Sequence, residues 1–396
     1  MSSCERIGAH FCSSIELINR EKWNALVGPD QPFLTFEFLH ALEASGCVGE
    51  AQGWQANHFV YYGADGQLLA VAPQYIKHHS YGEYVFDWAW AEAYQRHGLN
   101  YYPKLVAAIP FTPCTGPRLL LSASLKKNTS EFAVVTGAYR NACLGQCREL
   151  GFSSWHILFP QANDAEDLVF EGMHRRDGVQ YHWFNRGYKD FDGFLDALVS
   201  RKRKNIRKER LAIAQQALTF RWVEGADFTD TELEAFYVLY RSTYLKRGQE
   251  GYLNKAFFKR LLMMIPDSMC FLLVETEAEI VAGALFFKGE SVLYGRYWGC
   301  IESYHALHFE TCYYRGIEYC IARGFEKFDA GAQGEHKLLR GFEPVETCSY
   351  HWIANPDFEQ AIVNFLDQES LHVRDYIREA RNGLPYKAKA PSPLVK

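Results

Sequence analysis

The fold is decided by the stretch from Val292 to Pro344, which reads VLYGRYWGCIESYHALHFETCYYRGIEYCIARGFEKFDAGAQGEHKLLRGFEP. Its pattern predicts a strand, a loop, a long helix, a second strand and a short basic helix, at Val292–Trp298, Gly299–Tyr304, His305–Arg323, Phe325–Ala330 and Glu335–Arg340. Gly324 follows the long helix as a C-cap glycine would. A strand, a crossover helix and a parallel strand leave a crevice at the carboxyl ends of the strands. We therefore expect the chemistry at that crevice.

The composition is that of an ordinary globular protein, long enough for two domains. Of the 396 residues 48% are hydrophobic and 22% are charged, and the net charge is −5, so the whole molecule is not a general binder of nucleic acid. Eleven cysteines without a Cys-x-x-Cys pair predict mostly buried, reduced thiols. No signal peptide or membrane-spanning run is evident in the sequence. These features predict a cytoplasmic protein without a membrane span.

The two halves of the chain repeat one order of predicted elements. Each half has a hairpin, an aromatic strand, a long helix, a Gly-Phe pair, a further strand and a Tyr-His-Trp triplet. The triplets are Tyr181-His182-Trp183 and Tyr350-His351-Trp352. The pattern predicts two copies of one mixed α/β unit, the first enlarged by a proline-rich loop.

Several motifs make the chain resemble a known family. They are His79–Trp88 (HSYGEYVFDW), Tyr101–Leu105 (YYPKL), Pro110–Pro113 (PFTP), Lys204–Arg210 (KNIRKER) and Gly331–Lys337 (GAQGEHK). The order of elements resembles the GNAT-type N-acyltransferase unit, and two such units with a basic helix entering the second resemble the Fem-type peptidyltransferases. On these motifs the chain is identified as a member of the FemAB-like predicted N-acyltransferases, which are grouped with peptidoglycan biosynthesis.

The resemblance implies a fold class and a division into domains. The fold is α/β (α+β), with two tandem GNAT-like units of the acyl-CoA N-acyltransferase fold, each a mixed central sheet flanked by helices. The first unit is expected at 1–190, a basic connecting helix at 191–220, the second unit with the active site at 221–355, and a C-terminal helix and tail at 356–396.

A phosphate-binding loop is expected where the crossover helix begins. GNAT enzymes hold coenzyme A pyrophosphate on an Arg/Gln-x-x-Gly-x-Gly/Ala loop, because glycines let backbone N–H groups approach phosphate at an electropositive helix N-terminus. Here Arg296 and Gly299 fit that pattern, but the last position is Ile301, whose branched side chain would crowd a pyrophosphate. The resemblance assigns Arg296 and Gly299 to donor binding, and the alternative is a turn glycine after an aromatic strand.

Lys337 occupies the place of a functional lysine in Fem-type enzymes that use aminoacyl-tRNA. Their pattern resembles Phe-Lys-x-x-Phe-Gly, and here His336 stands where that pattern has Phe. A lysine there would hold phosphate or stabilise charge on the acyl carbonyl, and Arg340 lies on the same helix face, three residues on, for phosphate contact. The alternative is a solvated helix lysine.

The segment Arg201–Arg210 has seven basic residues in ten. On a helix Arg203, Arg207 and Arg210 share one face, with Lys204 and Lys208 beside it. Such a face would contact phosphates in a non-specific, salt-dependent manner. It suits a tRNA or a nucleotide-diphosphate substrate, and the alternative is a solvated connecting helix.

Acceptor contacts are expected in the first half. His79, Glu83 and Asp87 would alternate onto one face of a strand, and Tyr102 lies in the next motif. We assign Glu83 or Asp87 to the acceptor amine, and His79, Tyr102 and His336 to the acceptor pocket. Tyr294 or Tyr297 is a candidate for donating or orienting a proton.

The sequence thus predicts an enzyme that moves an acyl or aminoacyl group from acyl-CoA or aminoacyl-tRNA to an amine, without a tightly bound cofactor or metal. Such a transfer needs positioning, deprotonation of the amine and polarisation of the carbonyl. The alternative is a non-enzymatic module of the same double fold that binds RNA or a cell-wall precursor. The donor, the acceptor and the oligomeric state are not identified by the sequence.

Overall fold

The computed structural model describes residues 6–161, 167–332 and 334–387 of a mixed α+β protein. The strands are β1 Gly8–Cys12, β2 Trp54–Ala56, β3 His58–Tyr62, β4 Leu68–Ala72, β5 Gln74–Lys77, β6 Lys104–Ala107, β7 Leu120–Leu121, β8 Ser154–Leu158, β9 Met173–Phe184, β10 Thr219–Glu224, β11 Met269–Glu275, β12 Ile280–Lys288, β13 Val292–Cys300, β14 Lys327–Asp329 and β15 Glu343–Ile353.

The longer helices are Arg20–Asn24, Phe36–Ala44, Trp88–Arg96, Ser130–Leu150, Phe191–Ala197, Ser200–Ala214, Asp230–Leu245, Lys255–Met264, Leu307–Phe309 continued by a π-helical turn Glu310–Tyr314 and by Arg315–Arg323, and Pro356–Asn382. Short 3-10 turns lie at Ile15–Leu17, Pro32–Leu34, Gly225–Asp227, Pro266–Ser268 and Glu335–Arg340. We call Ser200–Ala214 the basic helix and Glu335–Arg340 the lysine turn.

The chain forms two compact units. Unit 1 comprises Met1–Gly178 and Glu346–Arg374, and unit 2 comprises Val179–Val345 and Asp375–Lys396. These boundaries differ from the division at 190, 220 and 355 expected from the sequence, because each unit draws its last strand from the other half of the chain.

Unit 1 contains a small antiparallel sheet in the order β1-β3-β4-β7 and a second run in the order β2-β5-β6-β8. β6 is parallel to β8, and β8 pairs with the end of β15. The helix Ser130–Leu150 covers this sheet and buries Tyr139, Cys143 and Cys147 against Trp155, which fixes the crossover between β6 and β8.

Unit 2 contains a meander followed by the predicted crossover. The antiparallel strands β10-β11-β12-β13 are continued by β14, which is parallel to β13, and the end of β9 pairs with β14. The crossover helix packs Ile317 and Cys320 against Phe328 in the core.

Corresponding strands of the two units share one register, which confirms the repeat predicted from the sequence. In unit 1 Trp155 and His156 face Trp352 and His351 across β8 and β15. In unit 2 the pairs across β14 and β9 are Phe328 with Trp183 and Asp329 with His182.

Both crossover helices also end alike. Gly151 and Gly324 adopt left-handed φ angles of 68° and 78°, and the next N–H, of Phe152 or Phe325, bonds a helix carbonyl at 2.9 Å. This ending is the one that glycine allows most readily.

The two Tyr-His-Trp triplets are exchanged between the units. The triplet of the first half lies in β9 and joins the sheet of unit 2, whereas that of the second half lies in β15 and joins unit 1. Because the triplets are identical in sequence, their residues alone do not tell which sheet each completes.

Two local predictions from the sequence were wrong. His79, Glu83 and Asp87 were expected along one strand, but β5 ends at Lys77 and a helix runs from Trp88 to Arg96. Its alanines favour a helix, and Trp90 and Tyr94, four residues apart, are both buried on one face. The loop was expected to begin at Gly299 and the crossover helix at His305. Instead β13 continues to Cys300, and the helix starts at Leu307.

Nine cysteines in the described part of the chain are free thiols, but Cys12 forms a disulfide, which the sequence did not predict. Among the described helices none combines the length and the apolar character that crossing a bilayer requires.

Candidate functional site

Lys337 is the first functional candidate in unit 2, and it is buried. Its side chain leaves the lysine turn, and Nζ donates to the carbonyl oxygens of Ala330 at 2.9 Å and Gly331 at 2.6 Å. The residue is 1% exposed, so the alternative of a solvated lysine is wrong. Burial lowers the pKa of Lys337 to about 8, against the opposing attraction of Asp329. An ammonium group close to its titration point, at the carboxyl end of β14, is suited to polarising a carbonyl.

Arg296, expected to contact the donor, is paired with a buried acid. Its guanidinium binds both carboxylate oxygens of Asp329 at 2.9 and 3.1 Å, and its side chain is 4% exposed. Burial raises the pKa of Asp329, but Arg296, His182 and the Gly331 N–H hold it well below its usual range. The prediction that Arg296 is free for a pyrophosphate is therefore not supported, because its charge neutralises Asp329.

Gly299 does not form a phosphate loop. It lies in β13 opposite Gly283, and a Cβ placed on it would lie 1.9 Å from the carbonyl oxygen of Leu239, in the helix Asp230–Leu245. The glycine is required for the close approach of that helix to the strand, and its assignment to donor binding stays a prediction.

Replacing Gly299 with alanine is expected to lower the free energy of unfolding by about 1–3 kcal/mol, because backbone atoms must move to admit the methyl group. Gly145, inside the helix Ser130–Leu150, is the control, since a Cβ there meets nothing within 4 Å and alanine should stabilise by about 0.5–1 kcal/mol. Urea unfolding of both variants measures the difference. Equal effects in the two variants would show that the helix contact does not explain Gly299.

Arg340, the second predicted phosphate ligand, fixes the lysine turn instead. It donates to both carboxylate oxygens of Glu209 at 2.8 and 3.0 Å and to the Tyr314 hydroxyl at 2.9 Å. Its guanidinium also lies 3.4 Å from the ring centre of Phe309. Arg340 is buried and its donors are engaged, so its structural role is to tie the lysine turn to the basic helix.

The π-helical turn Glu310–Tyr314 also connects the lysine turn to the basic helix. Such turns add one residue to a helix and frequently occur at functional sites. The Tyr313 hydroxyl lies 2.8 Å from Nε2 of His336, and Tyr314 bonds Glu209. His336 thus orients the turn before Lys337, and its place in an acceptor pocket stays a prediction.

The basic helix presents two different faces. Arg203 and Arg207 form ion pairs with Asp196 and Asp192, each at 3.0 Å, and Arg210 binds Glu310 and Glu318. Within the described residues Arg201, Lys204 and Lys208 are exposed and have no ion-pair partner; they lie at i, i+3 and i+7 on one face. In the part of the chain that the structure describes, Arg201, Lys204 and Lys208 are therefore exposed without an ion-pair partner, whereas Arg203 and Arg207 are paired with surface aspartates.

Tyr297 lies in an aromatic cluster. Its ring makes edge contacts with Tyr240 at 5.5 Å and Phe258 at 5.7 Å between centroids. These contacts give Tyr297 a packing role, and a role in proton transfer stays a prediction.

Unit 1 holds a buried cluster of charges around Lys104, at the start of β6. Nζ of Lys104 donates to Glu83 at 2.9 Å, to Ser80 at 3.0 Å and to Asp87. The Tyr101 hydroxyl also donates to Asp87, at 2.6 Å. Burial lowers the pKa of Lys104, but Asp87 and Glu83 raise it overall, so this lysine stays charged. The structure brings Glu83 and Asp87 together, as the sequence predicted, although through a loop and a helix start and not along a strand.

Two carboxylate oxygens of this cluster, Oε1 of Glu83 and Oδ1 of Asp87, have no hydrogen-bond partner among the described residues. Burial raises the pKa of Glu83 to about 7 despite the attraction of Lys104. Burial also raises the pKa of Asp87, but Lys104 outweighs it and the net shift is downward. Glu83 therefore has the properties of a general base near neutral pH.

Lys77, at the end of β5, completes the cluster. Its Nζ lies 4.0 Å from Glu83 and 3.6 Å from the ring centre of Trp54. Burial lowers the pKa of Lys77 to about 6, opposed by Glu83 and reinforced by Lys104.

The remaining predicted pocket residues lie beside this cluster. His79 is half-buried with Nδ1 at 3.4 Å from Lys77, and the Tyr102 hydroxyl lies 2.8 Å from Ser80. Glu83, Asp87 and His156 have ligand atoms within 4.8 Å of one another, and the Lys104 ammonium already binds two of the three, Glu83 and Asp87.

The lowered pKa of Lys77 predicts that the stability of the protein depends on pH. The unfolded chain binds a proton on Lys77 up to about pH 10.5, whereas the folded protein releases it above about 6. Because the unfolded state binds more protons between these values, this residue makes stability rise with pH across that window. In Lys77→Met the free energy of unfolding should rise less with pH than in the wild type, and the variant should be more stable than the wild type at pH 7. Urea unfolding of both proteins at pH 7 and pH 9.5 measures this. An equal rise in wild type and variant would contradict the assignment.

Sequence reasoning missed Lys77, Lys104, His182 and Asp329. A signal existed for Asp329, because an acid at the carboxyl end of a strand beside a crossover helix lies at the crevice. The lysines gave none, since a lysine next to an apolar strand usually marks a solvent-facing end.

The tandem units, their shared register and their crossover helices define a double GNAT-type fold. The chain belongs to the FemAB-like family, described as peptidoglycan biosynthesis/recognition, whose profile matches residues 14–388. This confirms the predicted family and fold, and at the level of the family it confirms the prediction of an acyltransferase.

Solved structures agree with this fold. FemX shares 14% identity over 87% of this chain and 98% of its own, with a TM-score of 0.52. The C-terminal domain (DUF2156) of an Agrobacterium fabrum protein described as a lysylphosphatidylglycerol synthetase shares 11% identity over 86% of this chain and 94% of its own, with a TM-score of 0.51. No curated protein sequence is significantly similar to the chain.

Proposed function

We propose that the chain transfers an aminoacyl group from aminoacyl-tRNA to the amine of a peptidoglycan-related acceptor in the cytoplasm. The observation that carries this proposal is the buried Lys337, held by two backbone carbonyls at the carboxyl end of β14. Its ammonium group would stabilise the negative charge that develops on the acyl carbonyl oxygen when the amine attacks. No covalent enzyme intermediate is needed for this step.

The donor side favours charged tRNA over acyl-coenzyme A. The two residues of the expected pyrophosphate loop are engaged elsewhere, Arg296 with Asp329 and Gly299 with the helix at Leu239. The exposed cations Arg201, Lys204 and Lys208 instead form a stripe along one face of the basic helix. Such a stripe fits the phosphates of an RNA backbone.

Within unit 1, Glu83 with Asp87 beside it is proposed as the group that contacts an acceptor amine. An amine enters as ammonium at neutral pH and must lose a proton to become a nucleophile. Glu83 has an unpartnered oxygen and a pKa of about 7, so it is suited to take that proton. Asp87, held ionised by Lys104, would help to keep the ammonium group in place.

Titration of the protein with charged tRNA and with acetyl-coenzyme A, at several salt concentrations, tests the donor. We expect tRNA to bind with a strong salt dependence, and the triple variant Arg201→Gln, Lys204→Gln, Lys208→Gln to flatten the slope of log K against log salt by about 2–3 units, since each lost phosphate contact removes about 0.7–0.9. Lys126→Gln, an exposed lysine of unit 1, is the control.

Three other outcomes are informative. Binding of acetyl-coenzyme A alone, abolished by Arg296→Ala, would replace the tRNA proposal with an acyl-coenzyme A enzyme. An unchanged salt slope in the triple variant would exclude the basic helix. Salt-dependent binding of tRNA without transfer to any amine would favour the non-enzymatic module.

A further inference from the structure

Lys77 connects the buried cluster of unit 1 to the surface, and the proposed transfer does not by itself explain it. Its Nζ lies 4.0 Å from Oε1 of Glu83 on one side. On the other side it lies 3.4 Å from Nδ1 of His79 and donates to the carbonyl oxygen of Tyr81 at 3.2 Å. The Lys77 side chain is fully buried, whereas His79 is half-buried.

The hydrogen bonds of His79 determine which of its nitrogens can accept a proton. Nε2 lies 2.8 Å from the carbonyl oxygen of Gln52, and a carbonyl only accepts, so Nε2 carries the hydrogen of the neutral ring. Nδ1 is then the acceptor, facing Nζ of Lys77 and the backbone N–H of Tyr81 at 3.2 Å. A proton on Lys77 therefore points at a basic nitrogen.

Four titratable groups surround Lys77, and only two of them can exchange a proton with it. The four are Asp87, Lys104, Glu83 and His79. Asp87 and Lys104 are committed to each other, and the pKa of Lys104 is raised by its acidic partners, so neither accepts a proton near neutral pH. Glu83 and His79 flank Lys77 directly. Burial shifts the pKa of Glu83 upward to about 7 and that of Lys77 downward to about 6, which brings these two groups close to neutral pH. Burial and the neighbouring Lys77 lower the pKa of His79, so a protonated His79 readily releases its proton to solvent.

We propose that Lys77 and His79 form an exit route for the proton that Glu83 takes from the acceptor amine. The proposal rests on the proposed function, and it adds two residues that act through Glu83. The acceptor ammonium loses one proton to the Glu83 carboxylate and keeps the electron pair as a neutral amine. Glu83 returns to the carboxylate by passing the proton to the neutral amine of Lys77. Lys77 passes it to Nδ1 of His79, and the half-exposed imidazolium releases it to solvent.

Lys104 cannot take this role, although it lies closer to Glu83, at 2.9 Å. It already carries its proton and keeps it, since two carboxylates surround it. Its charge holds Glu83 and Asp87 in place, and it makes Lys77 easier to deprotonate by repulsion. Lys104 therefore acts as a fixed cation, and Lys77 acts as the proton carrier.

Infrared spectroscopy after a pH jump tests the route without any substrate. The carbonyl band of protonated Glu83 is identified by its loss in Glu83→Gln, and its decay after a jump from pH 6 to pH 8 reports the escape of the proton. We expect the decay to be at least about tenfold slower in Lys77→Met and in His79→Gln. The matched controls are His78→Gln, an exposed neighbouring histidine, and Lys126→Met, which should decay as the wild type does.

Both variants are expected to fold, because methionine fills the buried space of the lysine stem and His79 is half-buried, and circular dichroism checks this. Wild-type decay rates in both folded variants would overturn the proposal, as would a Glu83 band that does not titrate near neutral pH. A slowed decay together with full turnover of Lys337→Met would support the route while overturning the proposed function.

Discussion

Replacing Lys104 with methionine is expected to lower the free energy of unfolding by about 3–5 kcal/mol, because it leaves two buried carboxylates without their cation. Glu83 and Asp87 are 3% and 1% exposed, so water cannot replace the lost ammonium group. Methionine keeps most of the stem volume, and the loss therefore reports charge and hydrogen bonding more than packing. Urea unfolding at pH 7 measures it, with Lys126→Met as the exposed control.

A triple variant separates the ion pairs from any general damage. Lys104→Met combined with Glu83→Gln and Asp87→Asn removes the uncompensated charges, so a large part of the stability should return. If Lys104→Met alone costs less than about 1 kcal/mol, a value typical of exposed pairs, the cluster is not the buried network described above.

Turnover in Lys337→Met is expected to fall by about 10²–10³-fold, the usual cost of removing one group that stabilises a developing oxyanion. The charged form of Lys337 performs this task, so the wild-type rate should also decline as the pH rises through about 8, where the lysine loses its proton. The measurement is transfer from charged tRNA to an amine acceptor across pH 6 to 9.

The control for this variant is Lys327→Met, at the start of β14 in the same unit, whose lysine is half-buried and has no assigned role. Its rate should match the wild type. Thermal unfolding of both variants shows whether a lower rate reflects a loss of fold. Full activity in a folded Lys337→Met would remove this lysine from the mechanism.

The sequence predicted the parts of the fold that depend on local pattern. The crossover helix, the strand before Gly331 and the basic helix all follow from the spacing of apolar residues and from glycine at helix ends. The exchange of β9 and β15 was not predictable, because it depends on long-range pairing of two triplets with the same residues. The helix at Trp88 was missed because its aromatic residues also favour strands.

The candidate residues were easier to name than to assign. Lys337, Glu83 and Asp87 lie where charged groups gather, but Arg296 and Arg340 are engaged with acids that are distant in the sequence. Asp329 is 33 residues from Arg296 and Glu209 is 131 residues from Arg340. A motif identifies a cation, whereas only the folded chain shows whether that cation is already neutralised.

The exchanged strands constrain how this chain can be synthesised and dissected. Unit 1 lacks its strand at Glu343–Ile353 until that segment has left the ribosome, so its sheet is completed only after most of unit 2 has been made. Pairing over such sequence distances slows folding. A single cut between the sequence halves would also leave each fragment with the other's edge strand, so two separately expressed halves are expected to gain structure only when they are mixed.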